Sequence, residues 1–306
     1  MENKLILCCN KNDVNNLNLL GDSFITHNDN QTNVVNGEFV CNYDYLLITY
    51  YKDIENHINN PNAINMARLP KNQQMDLARK HKIVTPNYAY IQNNVYDINV
   101  YMELINKMLG DKSGYPDVEI VVKKNDGARG LGQAVVKNKD IHRFITEMVI
   151  GDGVPSVDSD YYKLGGDIVD DKSLMESIKF NKDDVLFMVK VDIEEEFRVV
   201  FNCLGEYDIV QRKINNQADW QANGGGTVIG GTKRDYILEY MQSCGIIDFI
   251  ESTGLPFGSI DLFIDAYGAM GIFEYCPQFG YKSHNVDNIA KLVKRGMLHK
   301  IAQIGK

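Results

Sequence analysis

The chain alternates between short apolar runs of strand length and longer stretches whose apolar residues recur every three or four positions. Residues 4–9 (KLILCC) and 43–50 (YDYLLITY) are runs of the first kind, set among Asn- and Asp-rich turns, and predict a small α/β unit. His27 lies in a polar stretch between them and reads as a surface histidine. Residues 70–82 (PKNQQMDLARKHK) predict a helix with proline at its start and basic residues in its last turn, followed by an extended segment before Pro86. Helical spacing returns over 96–109 and is broken by the turn-rich 112–116. Residues 118–136 read as strand, glycine-punctuated turn, strand, and 141–149 as an amphipathic helix.

Residues 151–184 are rich in Gly, Asp and Ser and suggest an insertion or a mobile loop with one short helix near 174–178. Three apolar runs follow at 185–191, 197–203 and 207–214, in the order of antiparallel strands joined by tight connections. Strand alternation puts Glu196 and Arg198 on one face, with Lys190 beside them if the first strand ran on through the acidic 192–196 segment. A loop holding three consecutive glycines (219–227) leads to a helix over 234–254. A strand pair, 257–264 and 269–275, turns at 265–268, and an amphipathic helix over 286–304 closes the pattern.

Length and composition narrow the class. At 306 residues, 44% hydrophobic and 24% charged, the chain has the make-up of an ordinary globular protein of one to three domains. A formal net charge of -9 argues against broad binding to nucleic acid or to an anionic membrane. No apolar run has the length of a membrane span, and the N-terminal residues lack a signal-peptide layout, so the cytoplasm is the expected setting. Six cysteines, none in a Cys-x-x-Cys pair, fit buried free thiols of a reducing compartment.

Two features carry candidate chemistry. Lys123 ends an apolar strand, and Gly127, Gly130 and Gly132 follow within ten residues. Such a hairpin serves either as a plain turn or as a phosphate cradle, with free N–H groups and the ammonium facing one anion. Asp261 and Glu274 are each the single carboxylate in an apolar strand of one hairpin. A buried acid of that kind needs a partner or a metal, and one or two carboxylates completed by substrate phosphates make a typical magnesium site. The competing reading is a pair of acids facing solvent on edge strands.

Taken in order, these pieces resemble the ATP-grasp superfamily, most of all its RimK-like and glutathione-synthetase-like carboxylate–amine ligases. The resemblance runs from about residue 60 to the C-terminus. It implies an α/β (α+β) ATP-grasp fold with a small N-terminal α/β, or pre-ATP-grasp, domain over residues 1–66. A linking helical region would cover 67–116, a small ATP-grasp subdomain 117–191 with the insertion 151–184, and a C-terminal subdomain with the metal site 192–306. Lys123, Gly127, Gly130 and Gly132 match the lysine and flexible loop that grip ATP phosphates, and Lys71 is similar in place to an earlier phosphate-binding lysine. Met188, Val189, Lys190 and Val191 resemble the hinge whose backbone reads adenine, and Glu196 the acid that holds the ribose. Arg212 and Asn223 resemble groups that face the γ-phosphate and the acyl phosphate, which makes Arg212 and Lys123 the implied catalytic residues. Asp261 and Glu274 resemble metal carboxylates. The second metal strand usually reads Glu-x-Asn and here reads Glu274-Tyr275-Cys276, so the missing oxygen ligand would be either the side chain of Gln278 or a water.

The implied activity is amide-bond formation through an acyl phosphate, with ATP and Mg2+ or Mn2+ as cofactors. The partners would be a small-molecule or peptide carboxylate and an amine acceptor; dimers are common among similar enzymes, which allows a homodimer. Cys276 in place of asparagine raises the alternative of a nucleotide-binding protein without turnover.

Overall fold

The computed structural model describes residues 5–8, 24–27, 34–35, 38–39, 45–50, 59, 61–91, 97–125, 133–151, 153, 159–164, 180, 184–212, 226–277, 279 and 284–304, with side chains from residue 59 onward. The first sheet is parallel and contains β1 (Leu5–Cys8), β2 (Phe24–His27), β5 (Tyr45–Tyr50) and β6 (Ala63–Arg68) in the order β2-β1-β5-β6. Parallel pairing of β1 with β5 sets the two apolar runs read from the sequence side by side. His27 is the last residue of β2, and β3 (Val34–Val35) and β4 (Glu38–Phe39) add a two-residue ladder. Polar flanks hide such short strands from a periodicity reading.

Helix α1 (Lys71–Lys80) starts at Pro70, whose missing N–H costs nothing at that position. It leads to β7 (Tyr88–Tyr90) and α2 (Ile98–Leu109), which Asp97 caps through its side chain. The middle sheet adds β8 (Glu119–Lys124), β9 (Gln133–Lys137), β10 (Tyr162–Leu164) and β11 (Val185–Val189), in the order β10-β9-β8-β11-β7. Helix α3 (Ile141–Phe144) passes into a wider π-type coil over Ile145–Ile150. The stretch expected as an insertion holds an edge strand, β10, paired with β9; the short helix near 174–178 lies outside the described residues. Ile120, Val122, Phe144, Tyr101 and Phe187 form the core between this sheet and its helices.

The large sheet is antiparallel: β12 (Ile193–Asn202), β13 (Tyr207–Arg212), β14 (Gly226–Val228), β15 (Phe257–Asp265) and β16 (Met270–Cys276), in the order β14-β13-β12-β15-β16. The three successive runs at 185–214 therefore do not make one meander. β11 pairs with β8 and β7, whereas β12 and β13 pair with each other. The N–H of Val189 donates to the Asn87 carbonyl, the N–H of Lys190 donates to the Glu119 carbonyl, and Lys190 Nζ meets Glu119 Oε2 at 2.6 Å. These bonds hold the end of β11 in the middle sheet, so Lys190 does not join Glu196 and Arg198.

One face of the large sheet packs on α4 (Gly231–Ser243) and α5 (Ile246–Ser252) through residues such as Phe197, Ile260, Ile237 and Phe249. The single helix expected over 234–254 is split at Gly245, whose φ of 73° is easy for glycine and starts a new axis. Helix α6 (Val286–Ile304) covers one end of the opposite face, where Asn202 Nδ2 donates to the Leu292 carbonyl at 3.0 Å. The rest of that face holds the charged residues described below. Cys276 is buried, as expected of a free thiol, but Cys203 is exposed at the turn after β12.

Helix α6 comes closest to the sheet at Gly296. A Cβ there would stand 2.1 Å from the Pro256 carbonyl oxygen and 2.9 Å from Asn202 Cβ. Gly296→Ala should therefore destabilise the protein by about 1–3 kcal/mol in denaturant unfolding, although alanine is the better helix former. Unchanged or higher stability would mean that the helix can stand off from the sheet at no cost.

Candidate active site

The residues that make the site are consecutive neighbours across four strands. Glu196 on β12 pairs with Arg212 on β13, and Arg198, two residues on, pairs with Asp261 on β15. Asp261 in turn stands opposite Glu274 on β16. Opposite charges at facing positions of an antiparallel ladder are near enough to bond. Arg198 grips Asp261 with two prongs, Nε to Oδ1 and Nη2 to Oδ2, both at 2.7 Å. Arg212 Nη1 bridges Glu196 Oε1 at 2.9 Å and Asp261 Oδ2 at 3.2 Å. Arg68, the last residue of β6, approaches Glu274 Oε2 at 3.5 Å. At ~4.8 Å per strand the row is ~14 Å long.

A β-bulge decides which residues join the row. Near the turn the register pairs Ile264 with Met270 and Leu262 with Ile272, but Asp261 pairs with Glu274, so Phe273 is an extra residue. Without it Glu274 would face the opposite side of the sheet. The bulge aims both Phe273 and Glu274 at the charged face. The Phe273 ring lies 4.5 Å from that of Phe263, which shares the face with Asp261. Gly271 makes room, since a Cβ there would meet Phe263 at 2.5 Å and the Val84 carbonyl at 2.7 Å.

The middle sheet supplies the other wall. Lys123 points to the face that also carries Val121, Val135, Leu186 and Met188, an apolar patch closed by Met75 of α1. Its Nζ lies 5.8 Å from the centre of the Phe273 ring. Burial pushes the Lys123 ammonium below its ordinary value, and Glu274, Glu196 and Asp261 act against that shift, which places all three carboxylates in its field. Lys71 is buried at the start of α1, where its Nζ donates to the carbonyls of Lys124 at 3.1 Å and Asn125 at 3.4 Å. Asn125 Oδ1 accepts from the N–H of Asn72.

Of the residues expected in the site, Lys71, Lys123, Glu196, Arg212, Asp261 and Glu274 are thus brought close to one another. Gly127, Gly130, Gly132, Asn223 and Gln278 lie outside the described residues. In the expected hinge, Met188 and Val189 are inside β11, with Met188 paired on both sides and its side chain in the apolar patch. Lys190 and Val191 follow the strand, and the Lys190 side chain is tied to Glu119. Phe273, Phe263 and Arg68 were not expected. A bulge has no sequence signature, and Arg68 meets Glu274 only through a contact between residues 206 positions apart.

No protein-family model matches the sequence, and no curated protein matches it. Solved structures do match along nearly the whole chain. D-alanyl-alanine synthetase A of Vibrio cholerae O1 biovar eltor is 11% identical, with 100% of both chains covered and a TM-score of 0.57. D-alanine–D-alanine ligase of Bacillus anthracis is 13% identical, covering 98% of this chain and 96% of that one, with a TM-score of 0.55. A RiPP-associated ATP-grasp ligase of Chryseobacterium gregarium, in complex with ADP and a leader and core peptide, is 10% identical over 97% of each chain, with a TM-score of 0.51. The chain has the ATP-grasp fold.

Within this ATP-grasp fold the carboxylates differ in how far they are already satisfied. Burial pushes Asp261 up, but Arg198 and Arg212 together hold it below its ordinary value. Burial likewise opposes Glu274, which Arg68, Lys71 and Lys123 hold down. Among the described residues no group of three or more His, Cys, Asp or Glu forms a metal cage. Two ionised carboxylates facing each other, one of them with only a long ion pair to Arg68, do fit a hard divalent cation whose remaining ligands are phosphates and water. Cys276 faces Ser259 across the ladder, and a thiol is a poor ligand for such an ion.

Burial pushes the Glu196 carboxyl up to about 7; Asp261 adds to this and Arg212 opposes it. Between its ordinary value of 4.5 and about 7, the folded protein keeps a proton that the unfolded chain has lost. The stability contributed by the protonated acid is therefore full below 4.5 and is lost as pH rises through 7. Glu196→Gln does not titrate, so its stability relative to wild type should improve by about 3 kcal/mol from acid to mildly alkaline pH in denaturant unfolding. A difference that stays constant with pH would contradict this.

Proposed function

We propose that the chain is an ATP-dependent carboxylate–amine ligase that forms an amide or peptide bond through an acyl phosphate, releasing ADP and phosphate. The observation that carries this reading is the charged row of the large sheet facing Lys123 and the apolar patch of the middle sheet. A cleft with one apolar wall and one strongly charged wall suits a molecule with a flat base at one end and phosphates at the other. The named neighbours support the reaction class: two are synthetases or ligases of D-alanine, and a third is a ligase held with ADP and peptide.

In this reading the adenine lies on Val121, Val135, Leu186 and Met188, with the Phe273 ring beside it and the backbone at Lys190–Val191 along its edge. Glu196 accepts hydrogen bonds from the ribose. Lys71, Lys123, Gly127, Gly130, Gly132 and Asn223 hold the phosphates. Asp261, Glu274 and Gln278 would hold Mg2+ or Mn2+, which when bound supplies positive charge beside the transferring phosphoryl group.

A carboxylate oxygen of the substrate attacks the γ-phosphorus, the bond to the β-phosphate oxygen breaks, and ADP leaves. Lys123 stabilises the equatorial oxygens during this transfer. The amine nitrogen then attacks the acyl carbon, phosphate leaves with the C–O bond's electrons, and one proton leaves the nitrogen. Arg212, fixed by two carboxylates, faces the oxyanion of that step without reorganising. The protein needs no nucleophile of its own and works by position and charge. The first sheet, read as the pre-ATP-grasp unit, would help select the carboxylate substrate.

A second reading, nucleotide binding without turnover, has one observation on its side, the buried Cys276 where a ligand oxygen would normally stand. ADP release measured against amino acids in pairs separates the two. Release that needs both a carboxylate and an amine is expected; bound nucleotide with no ADP under any pair would leave only the second reading. Lys123→Ala should abolish measurable nucleotide binding with the fold intact by circular dichroism, and normal affinity in that variant would remove Lys123 from the site. Phe273→Ala should weaken nucleotide binding about tenfold, the scale of one base–aromatic contact; an unchanged Kd would put the base elsewhere.

A further inference from the structure

Strand β16 ends the order of the large sheet, and among the described residues no strand pairs with its outer side. Its outward N–H groups need other partners. The N–H of Ile272 donates to the Val84 carbonyl at 3.0 Å, and the N–H of Tyr275 donates to Gln74 Oε1 at 3.1 Å. In a regular antiparallel strand every second N–H points the same way, so outward N–H groups lie an even number of positions apart. Ile272 and Tyr275 are three apart. That odd spacing is the mark of Phe273, the extra residue of the bulge. In a register with no bulge the N–H of Glu274 would point outward and that of Tyr275 would turn towards β15, away from Gln74.

Gln74 is held ready for this bond. It lies in the first turns of α1, is 1% exposed, and donates from Nε2 to the Leu69 carbonyl at 2.5 Å. A buried amide is unfavourable unless its polar ends are bonded, and here each end has a partner. The Leu69 bond fixes the amide from behind and leaves its oxygen turned to β16. Lys71, on the same side of α1, is one of the charges that hold Glu274 down. On the far side of β16 the Tyr275 ring stands 5.4 Å from that of Phe249, in the core of the large sheet. Ring and N–H thus fix Tyr275 from two directions, and Glu274, one residue earlier, faces Asp261.

Resting on the ligase reading above, we propose that Gln74 is a positioning residue whose bond to the Tyr275 N–H holds the bulged register of β16 and so keeps Glu274 at the cation position. Gln74 touches neither cation nor nucleotide in this reading. Its effect passes through one backbone N–H to the neighbouring carboxylate. Because Lys71 belongs to the same helix, the bond also fixes the spacing between a phosphate-binding lysine and the strand that holds the metal.

Amide hydrogen exchange on the full chain without ligand reads the register. In Gln74→Met the Tyr275 N–H should exchange about tenfold faster relative to that of Ile272, which keeps its own partner and serves as internal reference. Mn2+ binding in the presence of ADP, followed by electron paramagnetic resonance, reads the carboxylate. Gln74→Met should weaken it about tenfold, the scale of losing an outer partner of a metal ligand. In a Glu274→Gln background the same substitution should cost no further affinity, because the group it positions is gone; a general loosening of the fold would cost the same in both backgrounds. Gln74→Asn keeps the amide but loses one methylene of reach, so it should give the same results, and it replaces the methionine variant if that one does not fold. An unchanged exchange ratio, wild-type Mn2+ affinity in either variant, or an equal loss in the Glu274→Gln background overturns the role of Gln74 and leaves the nucleotide site standing. Wild type that binds no Mn2+–ADP overturns the ligase reading and with it the cation role of Glu274, a result distinct from any change in the exchange ratio.

Discussion

The pairing of charge across β13, β12, β15 and β16 is the constraint on which the cleft depends. Glu196 and Asp261 are almost fully buried, and a buried carboxylate without a partner is strongly unfavourable. Each meets an arginine on the same sheet, so the geometry of the antiparallel ladder itself satisfies them. Arg212 touches both acids and Arg198 clamps one, which ties three strands together through side chains as well as backbone. A site built this way is rigid before any ligand arrives, and rigidity is what a mechanism based on position and charge requires.

The remaining packing serves to present that row. Helices α4 and α5 bury the opposite face of the large sheet, and α6 seals only one end of the charged face. The middle sheet is apolar on both sides, with a large core against its helices and a smaller patch towards the cleft. Its two lysines behave differently for that reason. Lys124 ends β8 beside the first sheet's outgoing chain, where its carbonyl holds Lys71, while Lys123 alternates onto the cleft face. Two walls of opposite character then face each other, and the ATP-grasp neighbours show that this arrangement of sheets is a recurring one.

Much of this was legible in the sequence. Helix α6 runs over the residues that periodicity marks, and the β15–β16 hairpin turns where expected. Glu196 and Arg198 share a face because strand alternation leaves no choice. Other readings failed for reasons of context. The run at 185–191 looks identical whether its partner is β12 or β8, because periodicity reports burial and not the neighbouring strand. The edge strand β10 was hidden in a polar stretch, and the helix break at Gly245 is a matter of one φ angle.

The sequence by itself determined which residues carry charge inside apolar strands, and their order along the chain was enough to suggest a nucleotide site. Only the tertiary structure decided that Asp261 and Glu274 face each other. That depends on Phe273 bulging out of β16, a one-residue change of register that turns a side chain from one face of the sheet to the other. Tertiary structure alone also brings Arg68 to Glu274, across 206 residues of chain. Local pattern records what each residue is; register and sheet packing, which arise from contacts far apart in sequence, decide what it meets.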